Sequence, residues 1–175
     1  MVRKLKNVEL HRPGVDEYRK TQKLPVIVVL DDVRSMHNVG SIFRTADAFK
    51  VEALYLCGIT GCPPHKEIHK TALGSEDSVD WKHFPSVTDA ITELKAKGYT
   101  IAGLEQTEQS TFLNEWDIQP TDKIALIAGS ETDGVSQAAV DMCDVLVEIP
   151  QFGTKHSMNV AVATGVALWE IVNHL

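Results

Sequence analysis

Five short apolar runs, at residues 26–30, 53–57, 100–104, 124–128 and 145–149, constrain this chain more than any other feature. Each is too continuous for a strand with one wet face and too short for a helix. That pattern predicts strands buried on both sides, as in a parallel sheet covered by helices on both faces. Residues 81–84 are a further short strand by the same reading. Helical patterns lie between the runs. Val39, Ile42, Phe43, Ala46 and Phe49 form an apolar stripe behind Asn38, which predicts a helix with Asn38 as its N-cap. Residues 86–97 predict a second helix, with Val87, Ala90, Ile91 and Leu94 inward and Gly98 ending it.

The last helix, over 157–173 with Ser157 as its cap, differs in being apolar nearly all round. Ala161, Ala163, Gly165 and Ala167 keep its surface small, so neighbours can approach closely. Such a helix is either deeply buried or packed against a second subunit. The expected class is therefore α/β, a mostly parallel sheet with helices on both faces, in one domain over 24–175.

Bulk properties remove several function classes. The chain has no secretory pattern near its first residues and no apolar stretch of membrane-spanning length. Three cysteines, few and odd in number, argue for a reducing compartment, with the cytoplasm expected. Net charge is −7, but residues 1–23 carry +4, which leaves −11 on the remainder. The basic amino-terminal arm is thus able to touch phosphates, or is simply a solvated terminus.

Three punctuated motifs follow three of the apolar runs. They are Asn38-Val39-Gly40-Ser41-Ile42-Phe43-Arg44-Thr45-Ala46, then Gly129-Ser130-Glu131-Thr132-Asp133-Gly134-Val135-Ser136, then Ile149-Pro150-Gln151-Phe152-Gly153 running on to Ser157-Met158-Asn159-Val160-Ala161-Val162-Ala163. Turns beyond the carboxyl ends of strands are where an α/β sheet places its chemistry. Taken singly, each motif reads as caps and turns. Jointly they bring amide, guanidinium, carboxylate and hydroxyl groups to one sheet edge, without a reactive thiol or an obvious histidine base. That set suits a reaction in which positioning two substrates does most of the work.

Other site classes fail on chemistry. The Gly129 to Ser136 segment mimics a phosphate loop but has Val135 where the lysine must be, and carboxylates inside the loop. There is no G-x-G-x-x-G, and no G-x-S-x-G places a serine nucleophile. Cys57, Cys62, His65 and His69 have zinc-like residue types, but Cys62 and His65 are too close for a finger, so no metal is expected.

In order and spacing the three motifs resemble those of the SpoU/TrmH group of the SPOUT superfamily, RNA 2′-O-ribose methyltransferases that use S-adenosylmethionine. Lys70-Thr71-Ala72-Leu73-Gly74-Ser75-Glu76 is similar to a further segment of that group, and the resemblance covers residues 24–173. Ser130, Met158 and Ala161 depart from its common residues without changing the chemistry. The resemblance implies a carboxyl-terminal trefoil knot, which pattern reading does not foresee, and a homodimer whose interface lies beside the cofactor. It implies a cofactor held near Leu104, Gly129, Ile149, Met158 and Ser157. It implies Arg44, Asn38, Glu131, Ser157 and Asn159 as the catalytic set.

In members of the group the residue matching Arg44 is proposed as the base. A guanidinium stays protonated in proteins, so gripping an RNA phosphate and lowering the effective pKa of the hydroxyl is the role expected of it. Asn38 would orient the nucleotide or Arg44, Glu131 would brace the site, and Ser157 and Asn159 would order the cofactor loop. The substrate implied is structured RNA, with tRNA favoured over rRNA. The two other readings are a non-catalytic RNA- or cofactor-binding module of the same fold, and a guanine-base methyltransferase of the same superfamily. With three Trp, three Tyr and five Phe, mostly in apolar patterns, a broad base-stacking platform is not expected.

Overall fold

The computed structural model describes residues 2–175. After a 3-10 turn at Asn7–Leu10, the elements in chain order are α1 (Val15–Lys20), β1 (Leu24–Asp31), α2 (Met36–Ala48), β2 (Val51–Cys57), α3 (Lys66–Ala72), β3 (Asp80–Phe84), α4 (Val87–Ala96), β4 (Thr100–Leu104), β5 (Thr111–Phe112), β6 (Ile124–Ala128), α5 (Gln137–Val140), β7 (Val145–Glu148) and α6 (Val160–His174). The strands form one sheet in the order β3-β2-β1-β6-β4-β7-β5. Every pairing is parallel.

The period of two along β1 divides the core. Val26, Val28 and Leu30 face one layer, built from Val39, Ile42 and Phe43 of α2, Ile68 of α3, and Leu168 and Ile171 of α6. Ile27 and Val29 face the other, with Val87, Ile91 and Leu94 of α4 and Ala139 of α5. The apolar runs are continuous because both faces of the sheet are covered, as the sequence predicts. β5 carries no such run and escapes pattern reading: it is two residues at the sheet edge, both exposed.

Both helix starts flagged in the first and third motifs are displaced. α2 begins three residues early, capped by Ser35, whose Oγ accepts from the Asn38 N–H at 3.3 Å. α6 begins later than residue 157, capped by Asn159, whose Oδ1 accepts from the N–H groups of Ala161 (3.0 Å) and Val162 (3.3 Å). Each shift has one cause. A cap needs its side-chain oxygen within reach of N–H groups two or three residues ahead, and more than one nearby residue satisfies the composition. Asn38 is thereby freed from capping, and Ser157 is left exposed in a loop.

Part of the basic arm is ordered against the body. Tyr18 on α1 is buried, and its hydroxyl donates to the Asp47 carbonyl at 2.9 Å. On the other side, α2 and α3 pack backbone to backbone at Gly40, where an added Cβ would lie 2.3 Å from the Ile68 carbonyl oxygen. Only glycine permits that approach.

The sheet order also fixes how the carboxyl-terminal part leaves the strands. Val147 of β7 pairs with Leu104 on one side and with Thr111 on the other. The connection 105–110 therefore spans β7 at its carboxyl end, where the chain continues into 149–159. No described helix is long and apolar enough to cross a membrane.

Candidate functional site

A cavity of about 500 Å³ opens at the carboxyl ends of β4, β6 and β7, a size ordinary for small-molecule sites. Leu104, Gly129, Glu131, Ile149, Ser157, Met158 and Asn159 all line it. Segments far apart in sequence meet there because each follows a strand of one parallel sheet.

The second motif forms the cavity's tightest turn. Ser130 and Gly134 exchange backbone hydrogen bonds of 3.0 and 3.1 Å, and Gly134 is in the left-handed region at φ +68°. A Cβ on Gly129 would fall 1.9 Å from the Gly134 carbonyl carbon. Glycine at 129 is thus required by the closure of its own loop, before any ligand is considered. Two carboxylates the sequence did not single out clamp this turn from outside. Glu105 accepts from the Val135 N–H (2.8 Å) and the buried Asp31 accepts from the Ser136 N–H (2.9 Å). An acidic residue after an apolar run is the only signal either leaves in the sequence.

Glu131 joins the first motif to the second. Its carboxylate accepts from the N–H groups of Arg34 and Ser35, both at 3.1 Å, and from Asn38 Nδ2 at 2.7 Å. Partial burial pushes the Glu131 carboxyl up, but the Asn38 amide and the backbone N–H groups outweigh it and hold the pKa below the ordinary value. Asn159 Nδ2 then donates to Asn38 Oδ1 at 3.1 Å, which brings in the third motif. One residue from each motif thus stands in a single hydrogen-bonded chain.

Arg44 is not part of that chain. It is exposed on α2, six residues or about 9 Å along the axis from Asn38, and outside the cavity wall. Ser157 reaches the wall, but the residue is exposed and it caps nothing. The four residues of zinc-like type are dispersed or engaged elsewhere. Cys57 is buried, His65 caps α3 by accepting from the Glu67 N–H at 3.2 Å, and His69 meets Glu76.

The charge of the wall narrows what the cavity can hold. Glu105, Glu131, Asp133 and Glu148 line it, and no lysine or arginine does. Such a wall repels phosphate groups and favours a ligand carrying positive charge. Arg34 stands 3.8 Å from Asp133 of that wall.

Parallel topology, a strand-end cavity and a braced three-motif cluster define an α/β protein of the SPOUT-type methyltransferase class. The chain belongs to the SpoU rRNA Methylase family, whose model matches residues 25–169. It is 32% identical over 146 residues to the 23S rRNA (guanosine-2′-O-)-methyltransferase RlmB of Neisseria meningitidis, covering 83% of this chain and 57% of that protein. The TrmH/SpoU tRNA modifying enzyme of A. aeolicus superposes with a TM-score of 0.80 at 31% identity, over 91% of this chain and 81% of the other. An AdoMet-bound rRNA methyltransferase from Sinorhizobium meliloti superposes with a TM-score of 0.81 at 29% identity, over 90% and 60%. The chain spans 57% to 63% of the length of curated relatives it matches.

Proposed function

We propose that this protein methylates a ribose 2′-hydroxyl of structured RNA in the cytoplasm, with S-adenosylmethionine as donor and tRNA favoured over rRNA as substrate. The observation that carries the reading is the hydrogen-bonded chain Asn159–Asn38–Glu131 beside a cavity walled by carboxylates. S-adenosylmethionine suits that wall, because its sulfonium and ammonium charges outnumber its one carboxylate. When bound it would supply an electrophilic methyl group. Leu104, Gly129, Ile149, Ser157 and Met158 are the residues that would hold it, mainly through backbone groups of the strand ends and the clamped turn.

The chain's own residues then divide the work. Glu131, fixed by three donors, holds Asn38 in one orientation, and Asn159 holds it from the other side. Asn38 so placed would orient the target nucleotide. Arg44, the cation further along α2, would grip an RNA phosphate and stabilise negative charge developing on the ribose oxygen, since a guanidinium is a poor proton acceptor. Two assembly features accompany the reading. A homodimer through α6 is supported by the exposed apolar row Val162, Val166 and Trp169, spaced as one helix face. A trefoil knot is supported by the 105–110 connection that spans β7 where the chain runs on toward α6.

The test supplies labelled S-adenosylmethionine and fractionated total RNA, then locates the label by nuclease digestion and mass spectrometry. Label on a ribose of one RNA class is the expected result. Label on a base, or none on any RNA, overturns the reading.

A further inference from the structure

We infer that Phe152 is a stacking surface for an unpaired RNA base at the rim of the cavity, an inference that rests on the RNA-methylating reading above. Phe152 is 97% exposed. The protein covers its other aromatics far better, with Phe43, Phe84, Tyr18, Tyr55 and Tyr99 all buried and Trp169, the next most open, 60% exposed. A ring left bare in water gains free energy as soon as something flat and apolar covers it.

Its position says what that partner is. Phe152 lies on the loop 151–157, every residue of which is exposed. The two feet of that loop, Gln151 and Ser157, line the cavity. The loop is also tethered. Gln106 Nε2 donates to the His156 carbonyl at 3.2 Å, and just beyond the loop Asn159 caps α6 and bonds Asn38. The ring is therefore presented one residue from the cavity wall, on a segment already fixed at its far end, so stacking orders little that is free.

Charge separates the rim from the wall. The carboxylates of the wall repel a phosphate backbone, whereas Lys155 on the same loop as Phe152 attracts one. A polynucleotide is thus drawn to the loop and kept out of the donor pocket, with a π-face beside the phosphate contacts. Stacking on an aromatic ring is sequence-tolerant and suits single-stranded or splayed bases. This is one ring and not a broad platform, in keeping with the small aromatic content.

The test uses the full chain as wild type, Phe152→Ala and Phe152→Tyr. Initial rates are measured with tritiated S-adenosylmethionine and fractionated tRNA and rRNA, donor affinity by calorimetry, and mass by sedimentation. In Phe152→Ala, KM for the RNA that serves as substrate rises about tenfold, while kcat, donor affinity and mass stay near wild type. Phe152→Tyr retains the wild-type KM. An unchanged KM in Phe152→Ala overturns the inference. So does a matching loss of donor affinity, which would make the ring a cover for the cofactor, or a change in mass, which would make it a protein contact. Wild type that methylates no RNA defeats the functional reading and this inference with it, whereas an active wild type with an indifferent Phe152→Ala defeats this inference alone.

Discussion

The two halves of the site are built on opposite plans. Around the cavity the groups that join the motifs have partners within the chain: Glu131 has three donors, Asn38 is bonded on both sides, and the turn at Gly129 is clamped by Glu105 and Asp31. On the outer half, Arg44, Lys155 and Phe152 stand exposed. A pocket for a small ligand gains from being fixed before the ligand arrives. A surface for a large, charged polymer gains from leaving its cations and rings bare, because each internal partner would have to be given up on binding. The contrast separates a part of the site already braced by its own contacts from a part left open to solvent.

The variant expected to have the largest effect strikes the open half. Arg44→Ala should lower methyl transfer at least 100-fold or so, on the scale of losing one transition-state donor, with affinity for S-adenosylmethionine nearly intact. Calorimetry beside a methyl-transfer assay measures both, and ordinary turnover would end the assignment of Arg44. The complementary change strikes the closed half. In Gly129→Ala the new Cβ meets the Gly134 backbone at 1.9 Å, so the turn must open. A cost of about 1–3 kcal/mol in stability is expected, together with loss of donor binding. If Gly129→Ala bound the donor normally, the rigid-pocket half of the comparison would fail.

A smaller effect is expected on assembly. Trp169 is 60% exposed, touches Phe49 edge-to-face at 6.3 Å, and stands in line with Val162 and Val166. Trp169→Glu places a charge at the carboxyl-terminal end of that row without disturbing the buried side of α6. Sedimentation should show a shift from dimer to monomer at low micromolar protein, with the unfolding temperature of the monomer close to wild type. A monomeric wild type would remove α6 from the interface.

How much of this was legible in the sequence depended on the range of the interaction. The strands were legible because burial on both faces leaves a local mark, an unbroken apolar run. The three motifs were legible because each follows its strand directly. Asn38 and Ser157 were placed at helix caps that Ser35 and Asn159 occupy, since capping composition is shared by neighbours and only geometry chooses among them. Glu105 and Asp31 left no usable mark: a lone carboxylate after a strand acquires meaning only when the Val135 and Ser136 N–H groups, 30 and 105 residues away, close onto it. The reason for glycine at 129 was equally non-local, because the atoms its Cβ would strike belong to the end of its own loop.

The finest prediction concerns the link between the halves, the Glu131 carboxylate. Its donors favour the ionised form, so its folded pKa lies below that of an unfolded glutamate. A carboxyl shifted in that direction contributes stability that is fully present above the unfolded pKa and is lost as pH falls through the folded pKa. Glu131→Gln keeps one oxygen to accept from the Asn38 amide but can no longer ionise. At pH 7 the variant should unfold about 2–4 °C below wild type, and the gap should close as pH falls through the lowered folded pKa, because wild type loses its charge there and the variant has none to lose. A thermal melt at each pH measures that gap. A gap that stays constant throughout the acid range in which the protein remains folded would mean that the carboxylate acts only by its shape, and that the chain of bonds joining the two halves does not depend on its charge.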